Sequence, residues 1–272
     1  MSKAKRLNKY TTFSLVFILL VICLFGLQVS GVFEPVEKTL LDQKFRTFER
    51  EVPQDRVSLA MIDQRSLDAF AQNHNIYWPK QVRMVVYDVL FDQPDFDRNG
   101  IRGELSDRYL EQMFGTYQNS VLSAQTVDSD SGYTSSNLDK FTYPTESDSD
   151  QELYSVHNLP IPRFLQTARS VGSVAIPTKQ ESIIRSVPLF FDLSEGSALP
   201  ALGMAAWLSY MNFGDTVIRK NENYLSVDSL QIPLQDDGKY LINWYKKGGV
   251  EQGSFQHYSF YGLFKAGMEF RQ

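Results

Sequence analysis

The stretch that decides the fold is YWPKQVRMVVYDVLFDQPD, residues 77–95. Its run from Val82 to Tyr87 predicts a buried strand, because a short, mostly apolar run bounded by polar residues is typical of one. Asp88 follows this run directly. A carboxylate in that place has two ordinary uses: it caps the turn or helix that follows, or it faces a ligand at the end of the strand.

Two similar runs predict two more strands. They are VSLAMID, residues 57–63, and NSVLSAQTV, around Val121. Helical patterns lie between the runs, at Ser66 to Ala71 and from Ser106, as the capping residue, to about Tyr117. Strands that alternate with helices predict an α/β fold, and we expect a mixed, mostly parallel sheet flanked by helices.

The second half of the chain continues this alternation. Helices are predicted at 162–168 and 199–211, and strands at 171–176 and 182–193. LQIPLQDDGKYLINW predicts a hairpin of two strands around an Asp-Asp-Gly turn at 236–238. The segment 127–152 is rich in acids, serine and threonine, which favours an exposed, mobile loop.

The N-terminus predicts a membrane anchor. Phe13 to Val29 is 17 residues without a charge, close to the minimum of about 17 that a spanning helix needs. Four basic residues precede it and two glutamates follow it, so the N-terminus is expected in the cytoplasm. We therefore predict a basic cytoplasmic segment at 1–11, an uncleaved transmembrane helix at 12–33 and an extracytoplasmic domain at 34–272. A cleaved signal peptide is the alternative.

Charge and cysteine content exclude several classes. The chain has 27 basic and 32 acidic residues, and without the four basic residues of its first nine the balance is 23 to 32. Such an acidic body has no basic field for a phosphate backbone, so no nucleic-acid partner is expected. Cys23 is the only cysteine, which rules out an intramolecular disulfide.

Catalytic patterns are absent from the sequence. It has no Gly-x-Ser-x-Gly elbow, no phosphate-binding lysine loop and no Gly-x-Gly-x-x-Gly turn. Its three histidines, His74, His157 and His257, have no metal-ligand spacing. We therefore predict neither an enzyme, nor a cofactor, nor a metal site.

Four residues are the candidates for ligand binding. Asp63 and Asp88 each end a predicted parallel strand, which is where open α/β sheets form their ligand crevice. Trp78 and Phe91 are the aromatic candidates beside them. Capping by the aspartates and packing by the tryptophan are the structural alternatives.

Several of these elements, taken in order, resemble a known family. LLDQKFR at 40–46, the VSLAMID and YWPKQ elements, VVYDVLFDQPD at 85–95, LPIPRFLQTARSVGSVAIP at 159–177 and ALPALGMAAWL at 198–208 are similar to the second type of CHASE domain. This is the extracytoplasmic sensory module of bacterial transmembrane signalling receptors, and the resemblance covers roughly residues 37–265.

The resemblance implies a receptor. It implies binding of a small-molecule or envelope ligand that it does not identify, a homodimer in the inner membrane, and a missing output module such as an adenylate cyclase or a histidine kinase. Two departures stand out: only four residues separate Pro79 from Met84, where the family has a helix, and the chain stops before an expected last strand. On this basis the domain is expected to be truncated.

Two other functions stay open at the level of sequence. One is an envelope interaction module with the acidic segment 127–152 as its contact surface. The other is a membrane-anchored hydrolase that uses Asp63 and Asp88 with a cation.

Overall fold

The computed structural model describes thirteen stretches of the chain: 9–30, 32–47, 58–61, 83–97, 102–129, 136–147, 152–176, 184–194, 196–214, 216–221, 223–235, 237–243 and 255–259. The chain divides into two compact units. The first comprises residues 1–59 with 243–257, and the second residues 60–242 with 258–272.

The described residues of the first unit include two helices, α1 (Lys9–Val29) and α2 (Glu34–Thr47). Helix α1 forms over the predicted apolar run, and its large apolar side chains are exposed, from Phe13 at 74% to Val29 at 73%. Within the described part of the chain, no helix is identified as long and apolar enough to cross a bilayer. The transmembrane helix predicted at 12–33 is therefore not confirmed.

The first sheet of the second unit is built around β3, a nine-residue strand that is buried over most of its length. Strands β2 and β6 pair with its first half, both parallel, and β5 pairs with its second half, antiparallel. The bounds are β2 (Val85–Tyr87), β3 (Ser120–Asp128), β5 (Tyr154–Asn158) and β6 (Ser170–Ser173). The strands predicted at 82–87, around Val121 and at 171–176 are confirmed.

The second sheet has six strands in the order β12-β11-β10-β4-β9-β8. The bounds are β4 (Tyr143–Ser147), β8 (Phe190–Ser194), β9 (Ser197–Pro200), β10 (Ile218–Lys220), β11 (Tyr224–Val227) and β12 (Leu230–Pro233). Two small sheets pair β7 (Ser186–Val187) with β13 (Tyr240–Leu241), and β1 (Ser58–Met61) with β14 (Gln256–Ser259).

The expectation of a mostly parallel sheet is wrong, although the α/β class is confirmed. Of the nine strand pairs whose register is described, three are parallel and six antiparallel. The reason is local: β8 and β9, and likewise β11 and β12, follow each other through tight turns, which permit only antiparallel pairing. These turns use the positive φ of Gly196 (+79°) and Asp228 (+53°).

The described residues of the second unit also form three α-helices and a 3-10 helix. They are α3 (Gly103–Tyr117), α4 (Pro162–Thr167), α5 (Leu202–Met211) and the 3-10 helix Ser136–Phe141. Helix α5 packs closely on β6, since a Cβ added to Gly172 would lie 2.6 Å from the Cα of Leu202. The predicted core helix is thus confirmed, but it starts at Leu202, and Leu199 belongs to β9.

The described residues of the acidic segment 127–152 do not all form the exposed loop that its composition favoured, and residues 130–135 and 148–151 lie outside the described residues. Of its described residues, Leu138 and Phe141 are 0% and 2% exposed and belong to the main hydrophobic core. Strand β4, which lies in the same segment, is an interior strand of the six-stranded sheet. A few apolar residues fix this segment in the core, while its described acids, Asp128, Asp139, Glu146 and Glu152, are exposed.

The predicted hairpin around Gly238 is also wrong. A turn forms there, with the Gln235 N–H donating to the carbonyl of Lys239 at 2.8 Å. The strands on its two sides then take different partners, because β12 pairs with β11 and β13 pairs with β7. The local turn chemistry was therefore sound, and the inferred pairing was not.

Candidate functional site

The segment 88–97 begins at the carboxyl end of β2, whose last residue, Tyr87, pairs in parallel with Leu122 in the first half of β3. Asp88, its first residue, is exposed. The hydroxyl of Ser123 on β3 donates to the carbonyl of Val89 at 2.7 Å, which holds the start of the segment against the sheet. The segment therefore lies at the edge where open α/β sheets bind ligands.

Hydrogen bonds fasten the segment to two helices. The Ile161 N–H, just before α4, donates to the carbonyl of Phe91 at 2.8 Å. The Asp95 N–H donates to both carboxylate oxygens of Asp107 on α3, at 3.3 and 3.2 Å. A displacement of the segment would therefore strain its hydrogen bonds to α3 and to the residue before α4.

Helix α3 begins under tight constraint from the same segment. The Asp97 carboxylate accepts the N–H of Gly103 at 2.8 Å and so satisfies one of the unpaired donors of the first turn. A side chain at Gly103 would overlap the Asp95 carbonyl and lie 2.7 Å from the backbone nitrogen of Phe96. The helix starts at Gly103, three residues before the predicted cap at Ser106.

Phe91 anchors the segment in an aromatic cluster. Its ring centroid lies 5.6 Å from those of Tyr87 and Phe164 and 6.4 Å from that of Phe114, all edge to face. Such pairs add about 0.5–1.5 kcal/mol each beyond their buried area. Burial also raises the pKa of Tyr87, which keeps its phenol neutral.

Asp107 is the buried acid of this region, with 4% exposure. Desolvation raises the pKa of its carboxyl, while the Asp95 N–H and the positive charge of Arg163 lower it, and the negative charge of Asp95 raises it further. A carboxyl in this balance can take up a proton above the usual pH range of aspartate.

Arg163, on α4, supplies the opposing charge. Its Nη1 is fully buried and has no hydrogen-bond partner among the described residues. Arg163 is the second residue of α4, and Ile161 immediately precedes the helix. The backbone N–H of Ile161, and not the Arg163 side chain, donates the hydrogen bond to Phe91.

The structure brings together only part of the set of residues that the sequence suggested. Asp88 and Phe91 share the segment 88–97, whereas Asp63 and Trp78 lie outside the described residues. Asp95, Asp107 and Arg163 were missed as candidates. The burial of Asp107 follows from contacts with a loop twelve residues away in sequence. Within the described stretches, no group of three metal-ligating side chains comes together.

Comparison with known families identifies the family of the chain. Residues 16–271 match the CHASE2 domain family. The chain belongs to the CHASE2 domain family. CHASE2 domains are extracytoplasmic sensory domains, so the resemblance stated from the sequence is confirmed. No curated protein and no solved structure matches this CHASE2 chain.

Proposed function

We propose that this CHASE2 domain is the ligand-sensing part of a membrane-bound bacterial receptor, and that its ligand binds at the segment 88–97. The observation that carries the proposal is the pair of hydrogen bonds from this segment, one to Ile161 before α4 and one to Asp107 on α3. A ligand that contacts Asp88 or Phe91 could change the position of both helices, because the segment 88–97 is hydrogen-bonded to α3 and to the residue before α4. Asp63 and Trp78 remain proposed members of the same site.

Membrane attachment through α1 is part of the proposal. Its exposed apolar side chains lie on all sides of the helix, and a helix that is apolar all round needs lipid or protein around it. The basic residues before it favour a cytoplasmic N-terminus, with residues 34–272 in the periplasm. A homodimer and an output module, a nucleotide cyclase or a protein kinase, belong to this proposal through the family alone.

The envelope interaction module is the second candidate, and the structure gives it little support. The segment 127–152 was to be its contact surface, but Leu138 and Phe141 are core residues. A partner could still contact the described exposed acids of this segment, such as Asp139 and Glu146. The hydrolase alternative rests on Asp63 and Asp88 alone, and no described residue adds a catalytic group to them.

A thermal-shift screen of the full chain in detergent, against a library of small extracellular metabolites, tests the sensory function. We expect at least one compound to raise the melting temperature, and Asp88→Asn to reduce that shift. Asp139→Asn is the matched control, because Asp139 is an exposed acid on the 3-10 helix. If Asp88→Asn leaves the ligand-induced rise in melting temperature unchanged, the ligand binds elsewhere. If no compound raises the melting temperature, the result counts against a sensory function.

Membrane attachment has its own test. Membranes that contain the full chain are extracted with alkaline carbonate. In a separate sample, intact spheroplasts are treated with protease, which reaches only the periplasmic side of the membrane. We expect the chain to stay in the pellet, and the domain to be cleaved without prior lysis. Release into the supernatant, or protection from the protease, would contradict the proposed topology.

A further inference from the structure

A buried guanidinium N–H without an acceptor is unusual in a folded protein. Arg163 Nη1 is in this state among the described residues. Burying a polar group without a hydrogen bond destabilises the fold, and burying a charged group without one destabilises it more. The exceptions in native structures therefore call for a specific partner.

The surroundings of Arg163 define where that partner would lie. The guanidinium belongs to α4, whose start is bonded to Phe91, and its charge acts on Asp107 of the neighbouring helix α3. The described hydrogen bonds of the Asp107 carboxylate come from the Asp95 N–H, not from Arg163. Arg163 and Asp107 thus lie close enough on two neighbouring helices for their charges to interact, with no hydrogen bond described between them.

We propose that Arg163 Nη1 binds an oxyanion of the sensed ligand, a carboxylate or a phosphate, in a subsite between α4 and Asp107 of α3. Arginine suits this role because its planar N–H groups match the geometry of both anions. This inference rests on the proposed function, and it names the chemical class of the ligand at that site.

Asp107 determines how such a subsite depends on pH. An anion beside it favours the protonated carboxyl, and a protonated Asp107 can donate a second hydrogen bond to the oxyanion. The charged groups that face it are Asp95 on the segment and Arg163 on α4, and desolvation already raises its pKa. Oxyanion binding should therefore be coupled to proton uptake and strengthen as the pH falls.

The first experiment measures oxyanion affinity by isothermal titration calorimetry of the full chain in detergent. The probes are inorganic phosphate, acetate and sulfate. We expect at least one of them to bind, and Arg163→Gln to weaken it at least tenfold. Arg108→Gln is the matched control: it also removes one positive charge, but from an exposed pair with Glu104 on α3. Equal affinity in wild type and Arg163→Gln would overturn the inference.

Two further variants keep the result decisive. If Arg163→Gln does not fold, Arg163→Lys keeps the charge but loses the planar donors, and affinity should still drop. Sulfate, whose charge is constant between about pH 5 and about pH 7.5, should bind more tightly at the lower pH. Asp107→Asn retains an oxygen for the Asp95 N–H and can donate at any pH, so this dependence should vanish; if it persists, the role of Asp107 is wrong.

Failure of this inference and failure of the sensory function give different results. If no oxyanion binds, but a compound of another class gives a thermal shift that Asp88→Asn reduces, the oxyanion subsite is excluded and the sensory site stands. If neither occurs, both are excluded.

Discussion

Lys220 Nζ lies 3.5 Å from Asp192 Oδ2, although β10 and β8, which carry them, are separated in the sheet by β4 and β9. Neighbouring strands lie about 4.8 Å apart, so three strand spacings of a flat sheet would hold these strands roughly 14 Å apart. The two side chains and the ordinary twist of the sheet together bridge this separation. The Asp192 side chain is 4% exposed and that of Lys220 is 22% exposed, so little water screens the pair.

Lys220→Met is expected to lower the free energy of unfolding by about 1–3 kcal/mol, because it leaves Asp192 buried without its cation. The loss stays below that of a fully buried pair, since Lys220 is partly exposed. Arg219→Met is the matched control on the preceding residue of β10. Arg219 pairs with Glu146, and both side chains are 64% exposed. That control should change stability by less than about 0.5 kcal/mol. Urea denaturation followed by tryptophan fluorescence measures both, and equal effects would show that the pair has no special role.

The pH dependence of the same variant gives a second prediction. Burial raises the pKa of Asp192 above its ordinary value of 3.8, and Lys220 partly opposes the shift. A carboxyl whose folded pKa is raised contributes stability at low pH and loses it as the pH rises through the folded pKa. Without Lys220 the folded pKa rises further, so Lys220→Met should lose more stability than wild type between about pH 4 and about pH 7.

The double variant Asp192→Asn/Lys220→Met is the control for this titration. It has no carboxyl to titrate, so the additional slope that Lys220→Met introduces should disappear. A slope that persists in the double variant would have to come from another group.

Gly103→Ala should destabilise the domain by about 1–3 kcal/mol, because the added methyl overlaps the Asp95 carbonyl and forces the segment 88–97 away from α3. Gly115→Ala is the matched control on the same helix. Its new Cβ would meet Thr167 Cγ2 at an ordinary 3.6 Å, and alanine favours the helix by up to about 1 kcal/mol over glycine. Thermal melting compares them. A Gly103→Ala variant as stable as Gly115→Ala would show that the close approach is not constraining.

Local patterns predicted the elements but not their long-range partners. The strands around Val85 and Val121, the helices α3 and α4 and the core helix α5 follow from apolar runs and turn residues close in sequence. The pairing of β13 with β7 joins segments about 54 residues apart, and nothing in either short strand specifies the other. The sheet directions were therefore inferred from the alternation of helices and strands, which misjudged them.

The candidate site was predictable to a similar degree. An aspartate after an apolar run identified the end of β2, and the structure places Asp88 there. The grouping of Asp95, Asp107 and Arg163 depends on how α3 and α4 pack, and helix packing is not encoded in any one stretch. Whether an acid such as Asp107 is buried depends on such tertiary contacts. A local sequence pattern therefore does not distinguish a buried acid from an exposed one.

Leu138→Ala tests whether the acidic segment 127–152 is part of the fold or an independent contact surface. Leu138 is 0% exposed in the main core, and its truncation should cost about 2–5 kcal/mol. Asp139→Ala is the control, since the neighbouring side chain is exposed and should matter by less than about 0.5 kcal/mol. Urea denaturation gives the difference directly. If Leu138→Ala is as stable as the control, the segment does not contribute to the core, and its use as a contact surface gains support. The expected loss of stability would instead mean that deleting the segment unfolds the domain.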